Sequence, residues 1–142
     1  MNKRIAMIGM TVLIVLMLVT ACGPAASSPG QTSKGVVYYL APMLSDEFQV
    51  GVNKMMLADG TQMGYTVRAL NAGGSASTQV NQMDDAINQK PSAIVLAAVD
   101  ASSITGEVQK ARAAGIPVLV FDRFIQDTPV DFSSVVGSVR CV

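Results

Sequence analysis

From Val36 onward the sequence switches between two hydrophobic periods, and this alternation restricts the fold more than any other feature. "VVYYLA" (Val36 to Ala41) is a short apolar run rich in β-branched and aromatic residues, as a strand requires. From Asp46 to Met63 the apolar residues Phe48, Val52, Met55, Met56 and Met63 fall at helix-like spacing, and Gly64 supplies a stop. "YTVRAL" (Tyr65 to Leu70) reads as a second strand and "NAGGSAS" as a loop. A helix with Ala76, Val80, Met83 and Ile87 on one face then runs to Pro91. "SAIVLAAV" (Ser92 to Val99) is apolar throughout, as a strand covered on both faces would be. A third helix places Ile104, Val108 and Ala111 in register before Gly115, "IPVLVF" (Ile116 to Phe121) is a fourth strand, and "SSVVG" (Ser133 to Gly137) a fifth. Strands and helices alternating at about 25 to 30 residues per unit predict a parallel sheet with right-handed crossovers. The units share no self-similarity, so a doubly wound α/β sheet is expected rather than a repeat array.

Composition narrows what such a sheet can do. The chain has 142 residues, half of them apolar, with ten acidic and ten basic side chains, enough for one domain with a real core. Balanced charge leaves no electrostatic footprint for nucleic acid. There is no His, which removes the commonest general base and metal ligand at neutral pH. Two Cys at opposite ends provide neither a zinc cluster nor a disulfide framework. No metal or cofactor is therefore expected. A dinucleotide site would need glycines in the first strand-to-helix turn, but that turn is "APMLSDEF", without glycine and with two acids that repel phosphate.

The N-terminus reads as a leader rather than as part of the fold. Lys3 and Arg4 form a positive region, Ile5 to Val19 an apolar stretch, and Thr20-Ala21-Cys22-Gly23 a run of small residues. The apolar stretch is shorter than the roughly 20 residues of a spanning helix. "VTAC" resembles the lipobox of bacterial lipoproteins. The resemblance implies that residues 1–21 are a signal peptide and that Cys22 is lipidated and becomes the new N-terminus. The alternative is an uncleaved anchor helix with an incidental Cys. Either way the expectation is an exported chain held on a membrane, facing the periplasm or the cell exterior. Residues 22–35 contain "GPAASSPGQTSKG", a composition that cannot order itself and reads as a flexible tether.

In open parallel sheets, ligands bind beyond the carboxyl ends of the strands. Strand four ends at Phe121, so Asp122, Arg123 and Phe124 emerge there; strand one delivers "PMLSDEF" to the same rim, and strand three delivers Asp100. Asp46 and Asp122 can accept hydrogen bonds from hydroxyls, Arg123 offers a planar fork of donors, and Phe48 and Phe124 offer flat apolar faces. A sugar ring needs that combination of polar edge and stacking face. Other roles stand beside these. Asp46 can cap a helix, Asp122 and Arg123 can form a solvated pair, Phe48 can be core, and Asp100 can cap the third helix.

"VVYYLAPMLSDEFQVGV", "GYTV", "IVLAAVD", "AGIPVLVFDR" and "VVGS", in this order, resemble the N-terminal lobe of periplasmic sugar-binding proteins. These are the ribose, galactose and xylose type of solute-binding lipoproteins that feed ABC importers. The resemblance covers residues 36–138 and implies a type I periplasmic-binding-protein lobe, one half of a clamp that closes on a monosaccharide-sized solute and docks on a membrane permease. By position it implies that Asp46 binds sugar hydroxyls, that Phe48 stacks on the ring, and that Asp122 and Arg123 bind ring hydroxyls. Gln49, Phe124 and Asp100 are further candidate contacts. Gln49 stands where ribose-type members often carry a second aromatic, and Ala97 where many carry an Asn, so ribose or galactose specificity does not transfer.

Family members run to roughly twice this globular length, which makes the lobe incomplete by that comparison. Where the family continues past "VVGS", this chain has "VRCV", and Cys141 is an odd thiol in an exported protein. The expectation is a truncated or frame-shifted product with residues 139–142 outside the fold. A second role for such a lobe is to deliver a solute signal to a chemoreceptor or sensor kinase. A LacI-type regulator would need a helix-turn-helix where the lipobox stands. An exported hydrolase would show G-x-S-x-G where the chain has "VVGSV". The chain is accordingly not expected to be an enzyme.

Overall fold

A computed structural model describes residues 33–135 and 138–140. The leader, residues 22–32 of the tether with Cys22, and the tail residues 141–142 lie outside the described residues, as do residues 136–137 of the expected fifth strand. The elements run β1 (Val36–Ala41), α1 (Glu47–Gln62), β2 (Thr66–Asn71), α2 (Ala76–Asn88), β3 (Ala93–Ala97), α3 (Thr105–Ala113), β4 (Val118–Phe121), β5 (Phe132–Val135) and β6 (Ser138–Arg140). They form a six-stranded sheet in the order β2-β1-β3-β4-β5-β6. The first five strands pair in parallel, and β6 pairs antiparallel with β5. This is the expected doubly wound α/β sheet, with one antiparallel edge.

Two departures have physical reasons. The sequence places residues 139–142 outside the fold, whereas the backbone of Val139 and Arg140 joins β6 against Ser134 and Ser133. A bare β5 edge would leave a row of unpaired amides and carbonyls, which the sixth strand satisfies. Strand three is expected to run to Val99 but ends at Ala97. Beyond it the Gln79 carboxamide replaces a neighbouring strand, with Nε2 donating to Ala97 O (2.8 Å) and Oε1 accepting from Val99 N (2.7 Å).

The pleat sorts the strand residues onto two unequal faces. Tyr38, Leu40, Ile94, Leu96, Val118 and Val120 point to one side, where they are sealed by Met83 and Ile87 of α2, Val108 of α3 and Ile104 just before it. The other side holds Val37, Tyr39, Val95, Leu119, Phe121 and Phe132. Among the described residues α1 alone covers it, packing against β1 and β2. An open trough of about 460 Å³ therefore runs along this face beside α1, lined among others by Val95, Leu119, Phe121 and Phe132.

Helix α1 does not bury the apolar stripe its sequence advertises. Its buried residues are Gln49 and Gly60, while Phe48, Met55 and Met63 are exposed. At 100° per residue, Gln49, Asn53, Met56 and Gly60 form the face turned to the sheet, and Val52, Phe48 and Met55 lie around one flank. Met56 and Met63 line the trough and continue its apolar wall.

Candidate functional site

The connection from β1 leads to β2 on one side, while β3 and β4 build outward on the other. The crevice expected of such a sheet thus lies past the carboxyl ends of β1, β3 and β4. The loops there are knitted together. Asn71, at the end of β2, accepts through Oδ1 from Leu44 N (3.1 Å) and Gly73 N (3.0 Å), and Gly74 N donates to Pro42 O (2.8 Å). These bonds hold the β1–α1 loop in place.

Asp46 closes that loop and opens α1. Its Oδ1 accepts from Phe48 N (2.8 Å) and Gln49 N (3.2 Å), so it is the N-cap. Phe48 follows on the rim at 52 % exposure, which excludes a core role for its ring in this chain. Gln49 turns the other way and is buried. Its Oε1 accepts a short hydrogen bond from the Tyr39 hydroxyl, and its Nε2 lies 3.5 Å from Asp122 Oδ2, the outer limit of a hydrogen bond. The head of α1 and the end of β4, 73 residues apart, therefore meet at one place.

Asp122 sits in an unusual backbone conformation. Its φ is +72°, and Arg123 N donates back to Phe121 O (2.9 Å), which makes it the centre of a tight γ-turn. For a residue with a side chain this costs on the order of 1–3 kcal/mol and persists only where surroundings hold it. Arg123 reaches sideways, its guanidinium donating to the Val99 carbonyl beyond β3. Asp100 accepts through one oxygen from the hydroxyls of Ser102 (2.7 Å) and Ser103 (2.6 Å) and from Ser103 N (2.7 Å). It organises the turn before α3 rather than capping the helix, whose N-cap is Ile104. Phe124 stands at 42 % exposure beside a recess of about 470 Å³ that also touches Ser102, Thr105 and Gln126.

Two groups titrate far from their ordinary values. Burial, and next the charge of Asp122, push the Tyr39 phenol up to about 12. The Ser103 hydroxyl first, then the Ser102 hydroxyl and the Ser103 amide, pull Asp100 down to about 2. Tyr39 thus stays a neutral donor and Asp100 a carboxylate at any physiological pH. Among the described residues no cluster of three or more His, Cys, Asp and Glu is placed to hold a metal.

Asp46, Phe48, Gln49 and Asp122 share one corner of the rim, while Arg123, Phe124 and Asp100 lie toward the β3–α3 loop. Sequence reasoning missed three supports: Tyr39, Asn71 and Gln79. Gln79 left a trace, being a polar residue one position from Val80 on an otherwise apolar helix face. Tyr39 left none, because its hydroxyl matters only once Gln49 is folded over it.

A family model described as "Periplasmic binding protein domain" matches residues 37–137. The chain belongs to the periplasmic binding protein family. This binding-protein lobe is 26 % identical over 137 residues to the ribose import binding protein of Bacillus subtilis, covering 92 % of the chain and 44 % of that relative. A solute-binding protein from Agrobacterium vitis, solved with bound allitol, is 30 % identical with a TM-score of 0.59, over 62 % of this chain and 30 % of its own. One from Clostridium phytofermentans, solved with bound β-D-glucose, has a TM-score of 0.67 at 23 % identity, over 70 % of this chain and 31 % of its own, and shares the fold. The lobe spans less than half the length of the relatives it matches.

Proposed function

We propose that this chain is the N-terminal lobe of an exported solute-binding lipoprotein that captures a monosaccharide-sized polyol or sugar and delivers it to the permease of an ABC importer. Asp46, Phe48, Asp122 and Arg123 are the principal contacts, and Phe124 and Asp100 flank them. The observation that carries this reading is the approach of Gln49 to Asp122. It puts an acceptor carboxylate within the same corner as an exposed aromatic, where a ring with hydroxyl edges and a C–H face can be held. The relatives' names and bound ligands point to the same chemical class. The leader and lipobox, with anchoring through Cys22, account for how the lobe reaches the outer side of a membrane.

A site of this kind holds its solute by enclosing most of it. One lobe supplies one wall, so the 142-residue chain alone is expected to bind weakly or undetectably. Calorimetry finding micromolar affinity for the monomeric chain would contradict that. The decisive test is a thermal-shift screen of pentoses, hexoses and alditols on protein expressed from the intact gene, followed by Asp122→Ala. The substitution should abolish the ligand-dependent shift, because solute hydroxyls would be buried without their acceptor. An unchanged shift removes Asp122 from the site.

A further inference from the structure

Gln49 sits among rim residues yet is only 4 % exposed, and both ends of its carboxamide are engaged by the protein. Asp122 as a carboxylate can only accept, so it selects the amide orientation that turns NH2 toward it and Oε1 away. The phenol of Tyr39, itself fully buried, must then be the donor to Oε1. Its high ionisation range keeps that proton in place. The chain of bonds has one direction: Tyr39 to Gln49 to Asp122 Oδ2. It ends on the residue whose backbone is in the strained turn.

We propose that Gln49 is a positioning residue for the solute site: with Tyr39 it tethers Asp122 in its γ-turn, committing Oδ2 to the protein and leaving Oδ1 for a solute hydroxyl. The role in binding rests on the solute-site reading above, whereas the tether itself does not. Glutamine suits the position because it accepts at one end and donates at the other without adding charge. Leucine can do neither. A glutamate does both only while protonated; ionised, it repels Asp122.

That difference supplies the test. Two carboxylates in contact share one proton, which is held above the ordinary carboxylate range. The other charged or titratable groups around the amide are Tyr39 from β1, Asp46 at the head of α1 and Arg123 beside Asp122. In the folded Gln49→Glu variant the shared proton is bound more tightly than in the unfolded chain, so stability falls as pH rises. Without any ligand, the Tm of the full chain carrying Gln49→Glu should match the wild type near about pH 5 and fall steadily behind it toward about pH 8. Gln49→Leu should show an offset that does not change with pH, and adding Asp122→Asn to Gln49→Glu should reduce the pH dependence to the smaller part that burial of the new carboxyl alone produces. A Gln49→Glu offset that is the same at every pH overturns the tether, and so does a pH dependence that Asp122→Asn leaves undiminished.

The positioning role is read from D-ribose and D-xylose affinity, measured on protein expressed from the intact gene. Gln49→Glu should bind within about twofold of wild type at about pH 5 and about tenfold more weakly at about pH 8, and Gln49→Leu about tenfold more weakly at both. Gln49→Leu binding as tightly as wild type overturns the positioning role. If the wild type binds neither sugar, the solute reading fails for these probes, and the ligand-free Tm profile still decides the tether.

Discussion

Asp46 gives its Oδ1 to two backbone donors, while its Oδ2 has no partner among the described residues. The cap and the proposed solute contact are thus compatible, because they use different oxygens. They are also separable. Asp46→Ala removes the acceptor from the start of α1 and should cost about 1 kcal/mol, a fall of about 4 to 8 °C in Tm for a domain of this size. Asp46→Asn keeps an amide oxygen for the cap and should leave Tm nearly unchanged. If Asp46 also binds solute, Asn should still weaken the ligand response, since it loses a charged acceptor. Calorimetry and thermal melts on the two variants decide this, and an Asn variant that loses as much Tm as the Ala variant rules out the simple cap. The residue types of this corner were legible in the sequence because caps and rim acids occur at strand ends by rule. Gln49 was legible as a candidate contact by position, but not as a buried support. Its burial depends on Tyr39 and Asp122, which no local pattern brings together.

At the scale of elements, α1 illustrates where reading by period stops. Strand β1 and most of the faces of α2 and α3 follow from apolar spacing, which predicts the burial of Met83, Ile87 and Val108, while Ala76 and Val80 stay half-buried. In α1 the apolar spacing is present, but the contact face is set by close approach. A Cβ on Gly60 would stand 2.2 Å from Val67 Cγ2, so the helix lies against β2 only because that residue is glycine. Gly51, on the outer side of the same helix, has nothing within 4 Å of where a Cβ would stand. Two alanine substitutions in one helix should therefore act in opposite directions. Gly51→Ala should stabilise by about 0.5–1 kcal/mol through helix propensity. Gly60→Ala should destabilise despite the same propensity gain, by about 1–3 kcal/mol, because helix or strand must shift. Urea titrations measure both, and Gly60→Ala matching Gly51→Ala would show that α1 is not held by that approach. Strand β6 was illegible for a different reason: three residues, Ser138–Arg140, carry no period, and their pairing is set by the open β5 edge.

Among the described residues the two sheet faces are in different states, although both are lined by strand residues of similar polarity. Parallel sheets are normally covered on both sides. Here Val120 is 1 % exposed beneath α2 and α3, while its neighbour Leu119 lines the open trough beside Met56 and Met63. An apolar trough flanked by exposed Met55, Met63 and Phe132 should make the chain self-associate and bind an apolar dye such as ANS. A lysine introduced on each face separates the consequences of the trough from those of the core. Leu119→Lys can extend its ammonium into solvent along the trough while its stem stays on apolar surface. It should lower ANS fluorescence and self-association and shift Tm by only a few degrees. Val120→Lys would bury a charge without a partner among Leu96, Val108 and Ile104, and should prevent folding. Light scattering, dye fluorescence and circular dichroism on the two variants read the contrast directly. Equal loss of structure in both would mean that the trough is closed in solution, and that the two faces are buried alike.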